Sequence, residues 1–210
     1  MEEENKVLKE VIEWACCVLI ALVIALLTRY YIVSPTVVHQ KSMYPNLKEG
    51  QRLMLNRTKR ISKKEYNRGD IITFEAPIVI DAKDVDLSNP VATYVYTPET
   101  KYEKFVYKVL ELNKLSYIKR IIGVAGDRIQ INNNKVYLNG EELEENYILQ
   151  GTETKSIYYN DIVVPEGCVF VLGDNREESL DSRAFGCIPV ERIEGSVWIR
   201  FWPLNAFGRI

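Results

Sequence analysis

The sequence predicts a mostly β domain tethered by a single N-terminal transmembrane helix, and three observations carry that expectation. Residues 14–27 (WACCVLIALVIALL) run without one charged side chain. Beyond residue 34 the apolar residues recur in short runs of the kind that form strands. Turn residues separate those runs, and no later stretch keeps a long 3.6-residue period.

The apolar run comes first. A bilayer core needs about 20 residues of helix, and Val11 and Ile12 on one side, with Thr28, Tyr30, Tyr31, Ile32 and Val33 on the other, extend the fourteen. Glu13 and Arg29 then reach the headgroups, and Trp14 and the Tyr30/Tyr31 pair fall where interfacial aromatics are usual. A buried core helix is the competing reading for a run of this length. A cleaved signal peptide is disfavoured, because no small-x-small site follows. The expected organisation is a short cytoplasmic tail at 1–13, an uncleaved anchor at 14–33 and an extracytoplasmic domain at 34–210. Lys6 and Lys9 are mixed with five glutamates in the tail, so the positive-inside rule gives orientation only a weak vote.

After the anchor, strands are expected at 52–56, at 71–74 behind Arg68-Gly69-Asp70, and at 91–96, 105–110 and 117–124. Further strands are expected at 128–131, 135–138, 169–172 and 196–202. Asn132-Asn133-Asn134 and Asn139-Gly140 are tight-turn chemistry, because asparagine and glycine tolerate positive φ. Residues 76–104 are polar, interrupted by proline and without a steady period, and read as an inserted segment.

Composition narrows the chemistry. The chain has 210 residues, 47% of them hydrophobic, which suits one compact domain plus the anchor. A formal net charge of −2 supplies no basic field for nucleic acid, so none is expected as a partner. One histidine and four cysteines without a CxxC pair argue against a metal site, and no cofactor is expected. Cys168 and Cys187 are open between a disulfide, which an extracytoplasmic site would permit, and two free thiols.

Three stretches carry possible chemistry. Val38-His39-Gln40-Lys41-Ser42-Met43-Tyr44-Pro45-Asn46-Leu47 puts a serine at a sharp exit from an extended segment. The run 117–127 (YIKRIIGVAGD) places two cations in an apolar strand. With period two, Tyr117, Lys119 and Ile121 share one face and Ile118, Arg120 and Ile122 the other, so at least one cation meets an apolar environment. Arginine stays charged wherever it is put, whereas a desolvated lysine loses its proton and becomes a base. The alternative for Lys119 is a side chain that snorkels to water. The run 172–186 (LGDNREESLDSRAFG) is a loop dense in donors and acceptors, either a solvated turn or a network that holds a site. Together they offer a hydroxyl, an amine and a bracing loop, the elements of acyl transfer without histidine.

On these residues the chain resembles the type I signal peptidases, membrane-anchored serine/lysine endopeptidases that remove signal peptides from exported proteins. The resemblance covers the Ser42-Met43-x-Pro45 box, Arg68-Gly69-Asp70-Ile71, the run from Tyr117-Ile118-Lys119-Arg120 to Gly126-Asp127, Gly173-Asp174-Asn175-Arg176 with Ser179, Asp181, Ser182 and Arg183, and the terminal Phe201-Trp202-Pro203-Leu204. The single anchor is similar to that of the Gram-positive forms. It implies a coiled β-sheet catalytic domain of the kind shared with LexA-like repressors, standing on the outer face of the cell membrane. It also implies Ser42 as nucleophile, Lys119 as general base, Ser179 holding the lysine amine, and Asp181 with Arg183 bracing the loop. Gln40 stands where the family has a serine or glycine that helps bind the oxyanion. Val38, Met43, Leu47, Tyr117 and Ile118 would line small apolar pockets that read the small-x-small motif of a preprotein's signal peptide. Asn46 and Ala125 depart from the threonine and proline of the family.

Two competing readings can be told apart. A self-cleaving repressor would carry a DNA-binding domain where this chain has its apolar helix. A membrane-tethered, non-catalytic peptide-binding β module would bind signal peptides without turnover. His39, three residues from Ser42 on an extended segment, points away from where a base would have to stand.

Overall fold

The computed structural model describes residues 2–62, 65–79, 81, 83, 85–96, 98–111 and 114–210. Helix α1 spans Glu2–Tyr31 and contains neither glycine nor proline, with Arg29 in its last turn, where a cation suits the helix dipole. Among the described residues it is the one helix long and apolar enough to cross a membrane, and apart from its C-terminal end its apolar side chains are exposed. The acidic tail continues the helix rather than preceding it. Val33 already belongs to β1 (Val33–Val37), so Ile32 alone joins anchor to sheet.

The main sheet also contains β2 (Arg52–Asn56), β3 (Ile71–Glu75), β4 (Ser116–Val124), β9 (Cys168–Leu172), β10 (Ile188–Pro189), β11 (Ile193–Trp202) and β12 (Gly208–Arg209). Its order is β1-β2-β11-β3-β4-β9-β10, with β12 alongside β11. A smaller sheet holds β5 (Arg128–Asn132), β6 (Lys135–Leu138), β7 (Glu141–Glu142) and β8 (Asp161–Val163) in the order β7-β6-β5-β8. Every pairing between these strands is antiparallel. β1 tolerates Pro35 because it pairs only with β2, so the missing N–H falls at the edge of the sheet. Asn133 and Asn134 both take positive φ between β5 and β6, and Asn139 and Gly140 do so between β6 and β7, as the turn chemistry anticipates.

Three buried clusters support the site. Val38, Met43, Leu47, Leu53 and Ile71 pack under the loop that carries Ser42, with Ile118 and Val197 partly buried beside them. Ile72, Phe74, Ile121, Val171 and Phe185 belong to the second, against which Tyr117 packs. Ile122, Ile129, Ile131, Phe170 and Leu172 belong to the third, which joins the two sheets.

Two expected strands are corrected. Residues 105–110 are helical: α3 (Lys101–Phe105) runs into a π-helical turn at Val106–Leu110. Thr100 and Glu103 form a capping box that starts this helix, and that local signal outweighs the β-branched and aromatic composition. Residues 91–96 form no strand. Val91 makes one isolated bridge to Cys187, and the hydrogen bonds of Ala92 to Cys187 and of Ile78 to Thr93 leave the segment as a strap. Cys168 and Cys187 are both free and buried, which settles the open alternative; burial pushes both thiols up in pKa and makes them poor nucleophiles.

Candidate active site

The loop between β1 and β2 carries Ser42. It is closed at its neck, where Val38 N–H donates to the Gln51 carbonyl at 2.9 Å and Gly50 N–H to the Val38 carbonyl at 2.8 Å. Met43 and Leu47 pin it from below by sinking into the core, and the Leu47 N–H bond to the Met43 carbonyl tightens the turn between them. Lys119 enters from β4, opposite Ile72 of β3. The sheet brings these two residues together across 77 positions of sequence, with Lys119 Nζ 2.6 Å from Ser42 Oγ. Ser42 is 5% exposed and Lys119 1%, so the pair is withdrawn from bulk water.

Burial is the main cause of the lysine's shift, pulling its pKa from 10.5 down to about 8. Asp181 and Asp174 oppose this by stabilising the ammonium, and Arg183 reinforces it. Each acid is also paired with an arginine. Arg120 grips Asp174 with Nε and Nη2, both at 2.8 Å. Arg183 grips Asp181 in the same bidentate manner at 2.8 and 2.9 Å. Asp181 also caps the short helix α4 (Ser182–Phe185) and accepts the Gly173 N–H at 3.2 Å. Arg183 Nη2 then donates to the carbonyls of Arg176 at 2.7 Å and Ser179 at 3.2 Å, tying the loop to itself. Asp181 and Arg183 are thus bonded to each other and to the backbone of the loop that carries them.

The loop reaches Ser42 through its backbone: Asn175 N–H donates to the Ser42 carbonyl at 3.0 Å and Asn175 Nδ2 to the Lys41 carbonyl at 3.3 Å. Gly173 lets the two segments close, since a β-carbon there would stand 2.2 Å from Ser179 Oγ and 2.6 Å from the Ser42 carbonyl oxygen. Ser179 is therefore next to the dyad, and among the described residues its buried hydroxyl has no hydrogen-bond partner. Gln40 and His39 are both exposed. Val38, Met43 and Leu47 are core side chains in this structure, and Tyr117 and Ile118 are half-buried.

Sequence reasoning missed a second polar layer. Asn46 Nδ2 donates to Asp174 Oδ2 at 2.8 Å and to the Tyr147 carbonyl at 2.6 Å, joining the Ser42 loop to the segment after β7. The Tyr147 ring stacks under the Arg120 guanidinium, 4.3 Å from its centroid. Glu145 receives both terminal nitrogens of the buried Arg176. The signal available in the sequence was the count of arginines near the site: Arg120, Arg176 and Arg183 each need a carboxylate once buried. The acidic run 141–145 (EELEE) supplies one.

The sequence is similar to known proteins over most of its length. The family described as "Signal peptidase, peptidase S26" matches residues 11–202. A probable signal peptidase I-1 of Synechocystis is 32% identical across 91% of this chain and 83% of that protein. Signal peptidase IB of Staphylococcus aureus (strain COL) is 32% identical across 95% and 93% respectively. Signal peptidase I S of Bacillus subtilis is 31% identical across 94% and 92%.

Proposed function

Because this chain belongs to the signal peptidase family, peptidase S26, we propose that Ser42 and Lys119 are the dyad with which it cuts signal peptides from exported preproteins. The chain is a serine peptidase of the signal peptidase I type, with an N-terminal apolar helix suited to anchoring it in a membrane. The observation that carries the dyad is the 2.6 Å approach of a buried amine to the Ser42 hydroxyl.

The chemistry follows from that contact. With a pKa of about 8, roughly one lysine in ten is neutral at pH 7. At its ordinary value the neutral fraction would be about one in three thousand. The neutral amine accepts the Ser42 proton as Oγ attacks the scissile carbonyl, and returns it to the amine of the departing mature protein. The acyl-enzyme is then released by water that the same amine deprotonates. The tetrahedral oxyanion takes the Ser42 backbone N–H as one donor, and the Gln40 carboxamide, swinging in from the surface, serves as the second. Ser179 steadies the lysine amine once substrate closes the site. Asp181 and Arg183 hold the loop that carries it.

The substrate binds extended along a strand edge, where main-chain bonds supply affinity. Val38, Met43 and Leu47 form the floor, and Tyr117 and Ile118 the walls, of shallow pockets that admit only small side chains. The catalytic sheet stands on the extracytoplasmic side of the cell membrane, residues 14–33 cross the lipid, and residues 1–13 stay in the cytoplasm.

The test is processing of a secreted precursor by membranes containing the chain. Ser42→Ala and Lys119→Ala each abolish it, and Lys119→Arg fails too, because guanidinium keeps its proton. Processing that survives either alanine variant refutes the dyad. Signal-peptide binding by the unmodified chain without any turnover refutes the peptidase reading in favour of a binding module.

A further inference from the structure

Glu111 lies outside the machinery of Ser42 and Lys119, at a point where three parts of the chain meet. It follows the π-helical turn, with φ of 54°, in the left-handed region that a non-glycine residue seldom occupies. That turn packs against α1. One carboxylate oxygen of Glu111 accepts from Arg29 Nη2, in the anchor's last turn, at 3.4 Å. The other lies 2.7 Å from Nη1 of Arg57, whose side chain is 2% exposed. Arg57 in turn donates its backbone N–H to the Ile32 carbonyl at 2.9 Å.

From these contacts we infer that Glu111 is a positioning residue that latches the catalytic sheet to the membrane anchor and sets the height and tilt of Ser42 above the lipid. The reasoning is mechanical. Ile32 alone connects α1 to β1, and a one-residue link is a hinge unless a second contact braces it. The Arg29–Glu111–Arg57 junction is that contact. It couples the anchor to the segment that leads into β4, and so to Lys119. A signal peptide lying in the bilayer offers its scissile bond at a fixed depth. An enzyme that swings about Ile32 meets that bond in fewer productive orientations, whereas a short peptide in solution adjusts to any tilt. The latch therefore matters for membrane-borne substrate and is silent for soluble substrate.

This inference rests on the signal-peptidase reading, and the experiment separates the two. The full-length chain in lipid vesicles is assayed on a preprotein whose signal peptide is embedded in the same vesicles, and on a soluble peptide carrying a small-x-small site. Glu111→Gln is expected to lower kcat/KM about tenfold on the embedded preprotein and to change it less than twofold on the peptide. Because that variant strands the buried Arg57 charge, Arg29→Ala, which removes a half-exposed partner, is the companion. It is expected to lose about threefold on the preprotein alone, and Arg29→Lys restores the loss. Equal losses on both substrates, or none on the preprotein, overturn the latch. An unmodified chain that cleaves neither substrate overturns the functional reading and the latch with it.

Discussion

Replacing Lys119 with methionine should abolish activity and at the same time make the fold more stable at neutral pH. The lysine's pKa falls from 10.5 to about 8 on folding. In free energy that is about 3 kcal/mol by which the folded state disfavours the protonated amine. The amine binds more protons unfolded than folded between pH 8 and 10.5, so stability rises with pH across that window. The penalty is complete below pH 8 and has vanished above 10.5. Methionine carries no charge and an unbranched chain of similar length, which suits a site where the native side chain is 1% exposed. It gives up the 2.6 Å contact with Ser42, worth about 1 kcal/mol. The net gain at pH 7 is about 2 kcal/mol.

For a chain of this size the gain raises Tm by about 4–8 °C. Thermal unfolding of the full chain in detergent micelles at pH 7 and pH 10.5, for the unmodified protein and Lys119→Met, measures it directly. The difference should be large at the lower pH and should disappear or change sign at the higher. Equal stability at pH 7, or an advantage that does not depend on pH, would sink the idea of a buried, depressed lysine. In the unmodified enzyme kcat/KM should climb through the same region, with an acid limb centred near 8.

Other expectations follow from contacts near the dyad. Gly173→Ala inserts a β-carbon 2.2 Å from Ser179 Oγ and 2.6 Å from the Ser42 carbonyl, so displacement of the nucleophile should cost about a hundredfold in kcat; near-normal turnover would contradict the packing. Asn46→Ala removes the bonds to Asp174 and Tyr147 and should lower stability by about 1–3 kcal/mol in urea titrations, with an unchanged midpoint counting against the bridge. His39→Gln, at an exposed position, should leave precursor processing intact. Its loss in a folded variant would return histidine to the mechanism.

How much of this was legible in the sequence depends on the range of the interaction. Strand and turn positions such as β2, β6 and the Asn139-Gly140 turn were readable, because alternation and positive-φ chemistry are local. The Ser42 and Lys119 positions stood out as a serine before Met43-x-Pro45 and a lysine in an apolar strand. Their contact came only from the family resemblance and not from local pattern, since β3, β4 and the 38–51 loop must assemble before the two meet. Residues 105–110 misled because phenylalanine, valine and tyrosine favour strands, while the capping box at Thr100 and Glu103 decides the outcome two turns earlier. Ser179 was legible as a neighbour of Ser42, but the expected bond to the lysine amine is not made here: among the described residues its buried hydroxyl has no partner.

The fate of the two cations on β4 is where local pattern and tertiary structure join. Period two required one of them to meet an apolar face but could not say which loses its charge. Three arginines around the site each hold a carboxylate: Arg120 pairs with Asp174, Arg176 with Glu145 and Arg183 with Asp181. Lys119 receives a serine. Two of those acids lie close enough to Lys119 to raise its pKa, and unpaired they would hold it as an ammonium. Each is already gripped by an arginine that cannot give up its proton. Burial outweighs what remains of their pull, and the lysine's pKa ends at about 8. In the mechanism proposed above, Arg183 acts on the proton transfer without touching the substrate, because its charge lowers the pKa of the lysine.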